Sequence, residues 1–158
     1  MAEFETSPTA AYIRSLVAQP LLFALSIFAN NALRAGLLSI VLPSLLVPFL
    51  GIAAIAVQAF TTGMLLAPID SDAATLLIPH SLTLIIEFQA YILFALGAFV
   101  LGRAWIRPSS VGATSRRSAY VTGLRRLATL AILALALLVI GALYEAFSVR
   151  YLLPLFEG

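Results

Sequence analysis

The sequence predicts an all-α integral membrane protein, a polytopic bundle of about four transmembrane helices with a short N-terminal interfacial helix. The first observation is composition, since 62% of the 158 residues are hydrophobic and 10% are charged, with a mean hydropathy of +1.07. So few polar side chains cannot cover the surface of a soluble domain of this length. The second is a nearly unbroken apolar run over 21–68, and the third is the clustering of arginine in one polar link.

The first half of the chain predicts an interfacial helix and two spans. Residues 10–19 carry apolar side chains at roughly helical spacing, which is typical of a short helix lying on the membrane surface. The apolar run that follows is long enough for two spans, because one span needs about 20 apolar residues. Pro43 and Pro48 should end or kink a helix. We therefore predict helices over 21–42 and 48–67.

The second half predicts two further spans. Residues 68–75 have the composition of a short acidic loop, and a third helix is predicted over 79–102. A polar link over 103–126 separates it from a fourth helix over 127–148. We expect a single membrane domain over 1–158, because no stretch is polar enough or long enough to form a second core.

The distribution of arginine predicts the orientation. Six arginines flank or fill the link over 103–126, which contains no acidic residue. By the positive-inside rule, this link lies on the cytoplasmic side of the cytoplasmic (inner) membrane, and 68–75 lies outside. The side of the N-terminus stays open, because two crossings within 21–67 place it outside and one long tilted crossing places it inside.

Several function classes lack support in the sequence. There is no cysteine, so disulfides, thiolates and Cys-based metal sites are excluded. A net charge of +2 gives no reason to expect nucleic acid as a partner. One histidine and scattered carboxylates do not have metal-ligand spacing. No nucleophile–base arrangement or phosphate-binding loop is found, so we predict neither an enzyme nor a cofactor.

A polar stripe is predicted within the third helix. His80, Thr83, Glu87 and Tyr91 follow the spacing i, i+3, i+7 and i+11, which places them on one helical face. Ionisable residues at membrane depth usually face protein or water and have partners. Two interpretations remain open: the stripe locks the bundle through interhelical hydrogen bonds, or it forms a polar pocket or relay.

Other polar residues interrupt the predicted spans. Arg34 and Glu145 are candidate charge partners, and we expect Arg34 to pair with Glu87 or Glu145 inside the bundle, because an unpaired arginine at that depth is costly. Asn30 and Asn31 lie in the first span. Five glycines are expected to be points of close helix packing. They are Gly36, Gly51, Gly63, Gly97 and Gly102.

Four stretches carry a resemblance to a known family. They are IFANNALRAGL (27–37), VQAFTTGMLLA (57–67), LLIPHSLTLIIEF (76–88) and IGALYEAFSVRYLLP (140–154). In this order they resemble the stage II sporulation protein M family of bacterial and archaeal membrane proteins. The third is similar to the family's Pro-His-Gly stretch followed by a glutamate. Here Ser81 replaces the usual glycine, and Glu87 follows His80 after seven residues, where the family's acid usually follows after four.

The resemblance implies a non-enzymatic scaffold or complex subunit, and it identifies Asn30 and Asn31 as a polar helix-start pair. The implied partners are the lipid bilayer, other membrane or envelope proteins, and a further copy of the chain. The alternative is a small transporter or ABC-transporter accessory, including the type found with bacteriocin export and immunity. In that alternative, His80, Glu87 and Glu145 would form a proton or cation path.

Overall fold

The computed structural model describes residues 17–152, apart from the side chains of residues 72, 73 and 76. All the regular secondary structure in this part of the chain is helical. The prediction of an all-α membrane bundle is confirmed. The interfacial helix predicted over 10–19 lies, up to residue 16, outside the described residues. The helices are α1 (Pro20–Leu46), α2 (Leu50–Leu66), α3 (Ser71–Ile106) and α4 (Arg116–Leu152).

Within residues 17–152, three helices are long and apolar enough to cross a membrane: α1, residues 77–106 of α3, and α4. The fourth predicted span is present as α2, an apolar helix of 17 residues. At about 1.5 Å per residue, α2 extends over about 26 Å, slightly less than the hydrocarbon thickness of about 30 Å. Of the four helices, α2 therefore matches a full crossing least well.

The chain reverses after α1, between residues 46 and 50. The helix continues through Pro43 because this proline falls where the π-helical segment Asn30–Val41 gives way to a last α-helical turn. Phe49 then adopts a left-handed conformation with φ of 69°. Its ring lies 5.8 Å from the Phe99 ring, measured between centroids. These contacts fix the turn against α3, so that α2 runs antiparallel to α1.

The start of the third helix and the extent of the polar link differ most from the prediction. The third helix begins at Ser71, and Pro79 lies inside it, so that the predicted loop over 68–75 is shortened. Pro79 has no backbone N–H, so the carbonyl of Thr75, four residues before it, loses its usual helical donor, and such positions are tolerated in membrane helices. Beside it, the Tyr144 hydroxyl donates to the Pro79 carbonyl at 3.2 Å and joins α4 to α3. The polar link also shortens, to 107–115, because arginine favours helix and its charge stays exposed there.

Close contacts at glycine bring the helices together. A Cβ at Gly97 would lie 2.6 Å from Leu127 Cδ1, and one at Gly36 would lie 2.9 Å from Phe94 Cε2. Gly51 and Gly102 are equally confined, so four of the five packing predictions are confirmed. The prediction for Gly63 is wrong, since no atom lies within 4 Å of a Cβ placed there. The buried core lies mainly between α1, α3 and α4. It includes Ile40, Ala90, Phe94, Ala98, Ala134 and Leu138.

Different segments of the chain lie at the two ends of the bundle. At the link end, defined by residues 47–49 and 107–115, the Tyr120 hydroxyl donates to the Leu45 carbonyl at 3.1 Å. At the terminal end, defined by the start of α1, residues 67–70 and the end of α4, Arg150 donates to the carbonyls of Val17 and Ala18. The start of α1 and the end of α4 therefore lie at the same end of the bundle.

Candidate functional site

A hydrogen bond between side chains joins α1 to α3 in the interior of the bundle. Asn31 Nδ2 donates to Glu87 Oε1, and both side chains are half-buried. Asn30 Nδ2 donates in turn to Asn31 Oδ1 at 3.3 Å. Because Asn31 accepts at its carbonyl oxygen, its amide nitrogen is directed to the carboxylate. The two asparagines thus form a short polar chain that ends on Glu87.

Asn30 and Asn31 do not start a helix, contrary to the role that the resemblance implies. The α-helical segment Pro20–Ala29 precedes them without a break, and they open the π-helical segment that continues to Val41. Their side chains bond to each other and to Glu87 and do not cap the backbone. They therefore act across helices rather than at a helix end.

A second polar contact joins α3 to α4. His80 Nδ1 lies 4.0 Å from Glu145 Oε1, and the side chains are 33% and 20% exposed. The preceding residue of α4, Tyr144, donates its hydroxyl to the carbonyl of Pro79, the residue before His80. Two adjacent residues of α4 therefore face two adjacent residues of α3, one pair through a hydrogen bond and the other at the outer limit of ion-pair distance. Among the described residues, the group that lies within this distance of Glu145 is His80, not Arg34.

The predicted polar stripe faces the interior of the bundle. Thr83 is 1% exposed, and among the described residues its hydroxyl has no hydrogen-bond partner. Tyr91 is half-buried against the core, while His80 and Glu87 line a common cavity. The interior position agrees with the helical spacing, since Gln89, which the same spacing places on a different face of α3, is exposed.

Two carboxylates, an imidazole and two amides surround a cavity of about 310 Å³, which we name the His–Glu cavity. Its walls come from α1, α3 and α4. Such a set of groups accepts hydrogen bonds and favours a cation or a proton over an anion. The lining residues are Ser26, Ile27, Asn30, Asn31, His80, Glu87 and Glu145.

Two further cavities adjoin this one at Asn31. The Arg34 cavity, of about 480 Å³, lies between α1 and α2 and contains no acidic residue in its lining. The apolar cleft, of about 570 Å³, lies mainly between α2 and α3. Glu87 lines both the His–Glu cavity and the apolar cleft, so the bond that it accepts from Asn31 forms part of the wall between them.

Arg34 does not form the predicted pair. Its side chain is exposed, and within residues 17–152 no ion pair joins it to Glu87 or Glu145. The neighbouring Ala35 and Gly36 carry the buried face of α1. Arg34 is therefore turned out of the interior that the two acids occupy, and its expected role is taken by Asn31 and His80.

The described residues bring no metal-ligand group together, since no three side chains of the His, Cys, Asp or Glu type cluster there. The described part of the chain is thus a helical bundle whose helices are joined by polar side chains around a cavity. A family model for stage II sporulation protein M matches residues 3–149. The chain belongs to the stage II sporulation protein M family. Neither the search of curated proteins nor that of solved structures finds a match.

Residues of the family resemblance converge at the site. Asn31, His80 and Glu87 come from the first and third of the similar stretches, and Glu145 comes from the fourth. All four line the His–Glu cavity. The spacing that departs from the family, seven residues from His80 to Glu87, still places both side chains at one cavity, because it corresponds to nearly two helical turns.

Sequence reasoning missed some polar residues of the site. The hydroxyl of Tyr144 donates to α3, and Ser26 lines the His–Glu cavity. A tyrosine hydroxyl at membrane depth needs a partner, so the Tyr144–Glu145 pair was a usable signal. Ser26 lies four residues before Asn30 and shares its helical face. The same periodicity that found the stripe would have found this serine.

Proposed function

We propose that this member of the stage II sporulation protein M family is a non-enzymatic scaffold or complex subunit, which holds other membrane or envelope proteins in place. The supporting observation is that its half-buried polar side chains make contacts between different helices. Asn31 binds Glu87 and His80 pairs with Glu145, so that each contact ties one helix to another. Interhelical polar contacts in membranes each contribute roughly 0.6–2 kcal/mol. A small set of them fixes the geometry of the bundle.

The proposed location is the cytoplasmic membrane, with the link end in the cytoplasm. The arginines around residues 107–115 are exposed at that end, and cytoplasmic loops carry an excess of positive charge. The chain reverses between α1 and α2, which places the start of α1 at the terminal end together with the end of α4. We therefore place both of these segments on the outer side.

Cysteine labelling tests this orientation cleanly, because the chain has no cysteine of its own. Ser71→Cys and Ser110→Cys lie at opposite ends of the bundle, the first at the start of α3 and the second in the link after it. We expect an impermeant thiol reagent to label only the Ser71→Cys protein in intact cells, and both proteins after lysis. Labelling of the Ser110→Cys protein alone in intact cells would reverse the orientation.

Purification from the native membrane in mild detergent tests the scaffold role. We expect one or more membrane or envelope proteins to co-purify in a fixed ratio, as mass spectrometry and cross-linking of the intact complex would show. An unrelated membrane protein of similar size, carrying the same affinity tag, is the control for non-specific capture. A chain that purifies without any protein in fixed ratio would contradict the scaffold role.

A further inference from the structure

An exposed cation lies near the middle of a membrane-spanning helix. Arg34 belongs to α1, which extends over Pro20–Leu46, and its side chain is exposed. It lies more than about 15 Å from either end of the helix, given the rise per residue. This distance is greater than the length of an arginine side chain, so snorkelling alone does not bring the guanidinium to either headgroup layer.

The charge of Arg34 has no counterpart in the described part of the chain. No hydrogen bond or ion pair of its guanidinium is present among residues 17–152, and the two acids at membrane depth have other partners, Asn31 for Glu87 and His80 for Glu145. An unpaired charge at this depth is unfavourable, and intramembrane charges are usually paired. The exposed position of Arg34 therefore indicates a partner outside the described part of this chain.

The surroundings of Arg34 suit a carboxylate. The Arg34 cavity contains the hydrogen-bonding side chains of Asn30, Ser39, Gln58 and Thr62, and its lining has no acidic residue. A guanidinium binds a carboxylate through two parallel N–H···O bonds, and the nearby amides add further donors. The two cavities therefore differ in the charge of their linings: the Arg34 cavity has a guanidinium and no acid, and the His–Glu cavity has two carboxylates.

The rim of the Arg34 cavity suits a helix that lies in the membrane. Arg34, Val57 and Thr61 are exposed at its edge, so the cavity is open at the surface of the bundle and at mid-membrane depth. Close to Arg34 along α1, the large apolar side chains of Leu33 and Leu38 are exposed by 56% and 58%. A single polar group surrounded by an apolar surface is the pattern that a mostly apolar helix with one acid would complement.

We propose that the surface formed by Leu33, Arg34, Leu38 and the opening between α1 and α2 binds a transmembrane helix of a different protein, through an aspartate or glutamate at mid-membrane depth. This proposal rests on the scaffold function and names the chemistry of its partner. A second copy of the chain does not fit, because no acid is exposed at this depth on the described spans. A lipid phosphate does not fit either, because it lies at the membrane surface.

Photo-cross-linking in the native membrane tests the proposal. A photoreactive amino acid replaces Leu38, and the cross-linked peptides are sequenced by mass spectrometry. We expect a transmembrane segment of another protein with an Asp or Glu near the cross-link. Arg34→Leu should lower the yield on the order of tenfold, and Arg34→Lys should lower it less. Gln89→Leu, which removes an exposed polar group on α3, is the matched control and should leave the yield unchanged.

The partner's acid completes the experiment. Replacing it with leucine should lower the yield as much as Arg34→Leu does, with no further loss when both changes are combined. Exchanging the two charges, with Arg34→Glu in this chain and arginine in the partner, should restore the yield. The thermal unfolding temperature of the Arg34→Leu protein in detergent should not fall, because its side chain has no partner within the described residues.

Three results would overturn the proposal: cross-links only to lipid or to a second copy, a partner segment without an acid, or an unchanged yield for Arg34→Leu. If the wild-type chain co-purifies with partners that Arg34→Leu also retains, this proposal is wrong while the scaffold role stands. If the wild-type chain captures no protein by purification or by cross-linking, both are wrong.

Discussion

The link end and the terminal end of the bundle are held together by different kinds of contact. At the link end, aromatic rings pack on glycine and on one another. A Cβ on Gly102 would lie 2.8 Å from Phe49 Cε1, and the rings of Trp105 and Tyr120 meet edge to face with centroids 5.4 Å apart. Such contacts depend on shape, and a change of one methyl group is enough to disturb them.

Toward the terminal end, polar side chains make the connections between helices. Asn31 binds Glu87, His80 pairs with Glu145, and Tyr144 binds the Pro79 carbonyl. Four of these residues, Asn31, His80, Glu87 and Glu145, line the His–Glu cavity. The two ends therefore differ in what joins the helices. At the link end it is close packing, and around the His–Glu cavity it is contacts between polar side chains.

The largest effect is expected at the link end, from Gly51→Ala. A Cβ at Gly51 would lie 2.0 Å from the Ile40 carbonyl oxygen, and backbone atoms cannot move away without shifting a helix. We expect a loss of about 3 kcal/mol in the free energy of unfolding, measured by thermal or denaturant unfolding in detergent.

Gly63→Ala is the matched control for that substitution. Nothing lies within 4 Å of a Cβ placed there, so this change should be neutral or slightly stabilising, as alanine favours helix. Equal effects of the two substitutions would contradict the claim that close packing holds the link end together.

A smaller effect is expected from Asn31→Leu in the polar region. This change removes the donor to Glu87 and leaves a half-buried carboxylate without that bond, at a cost of about 1–3 kcal/mol. Asn30→Leu serves as the control, since Asn30 is exposed and, among the described residues, its side-chain hydrogen bond goes to Asn31 and not to Glu87. Unfolding in detergent should separate the two variants. If they were equally stable, the bond between Asn31 and Glu87 would not support the bundle.

The smallest effect is expected from Tyr144→Phe. It removes one hydroxyl that donates to the Pro79 carbonyl at 3.2 Å while it keeps the ring, so the loss should be about 0.5–1.5 kcal/mol. Tyr120→Phe removes the corresponding bond to Leu45 at the link end. We expect this second change to cost no more, because close packing remains there. If Tyr120→Phe lowered the free energy of unfolding more than Tyr144→Phe, polar contacts would matter at the link end as well, which would weaken the contrast between the two ends.

Composition and periodicity predicted a large part of this structure. The apolar runs identified the helical spans, and the spacing of His80, Thr83 and Glu87 predicted a face that the structure turns inward. Both follow from local rules, since a helix fixes which residues share a face. The resemblance in four short stretches likewise pointed to the family that the chain belongs to.

The partners of individual side chains could not be predicted in the same way. Arg34 and Asn31 are three residues apart, and only the rotation of α1 within the bundle decides which of them meets Glu87. Pro79 was expected to start a helix, because proline lacks the N–H that a helix interior uses, yet the helix begins eight residues earlier, at Ser71. Such pairings depend on contacts between distant parts of the chain, which spacing along one helix does not contain.

The scaffold proposal requires that Glu87 joins α3 to α1 through its hydrogen bond with Asn31, and that it does not carry protons or cations. Glu87→Gln tests it directly, because glutamine keeps the oxygen that accepts from Asn31 and cannot titrate. Glu87→Leu, which removes this oxygen, is the matched variant and should fail to assemble. The measurement is complementation of a deletion strain, with co-purification of partners as the check on assembly. We predict that Glu87→Gln complements fully, and a folded, partner-bound Glu87→Gln protein that does not complement would contradict the account.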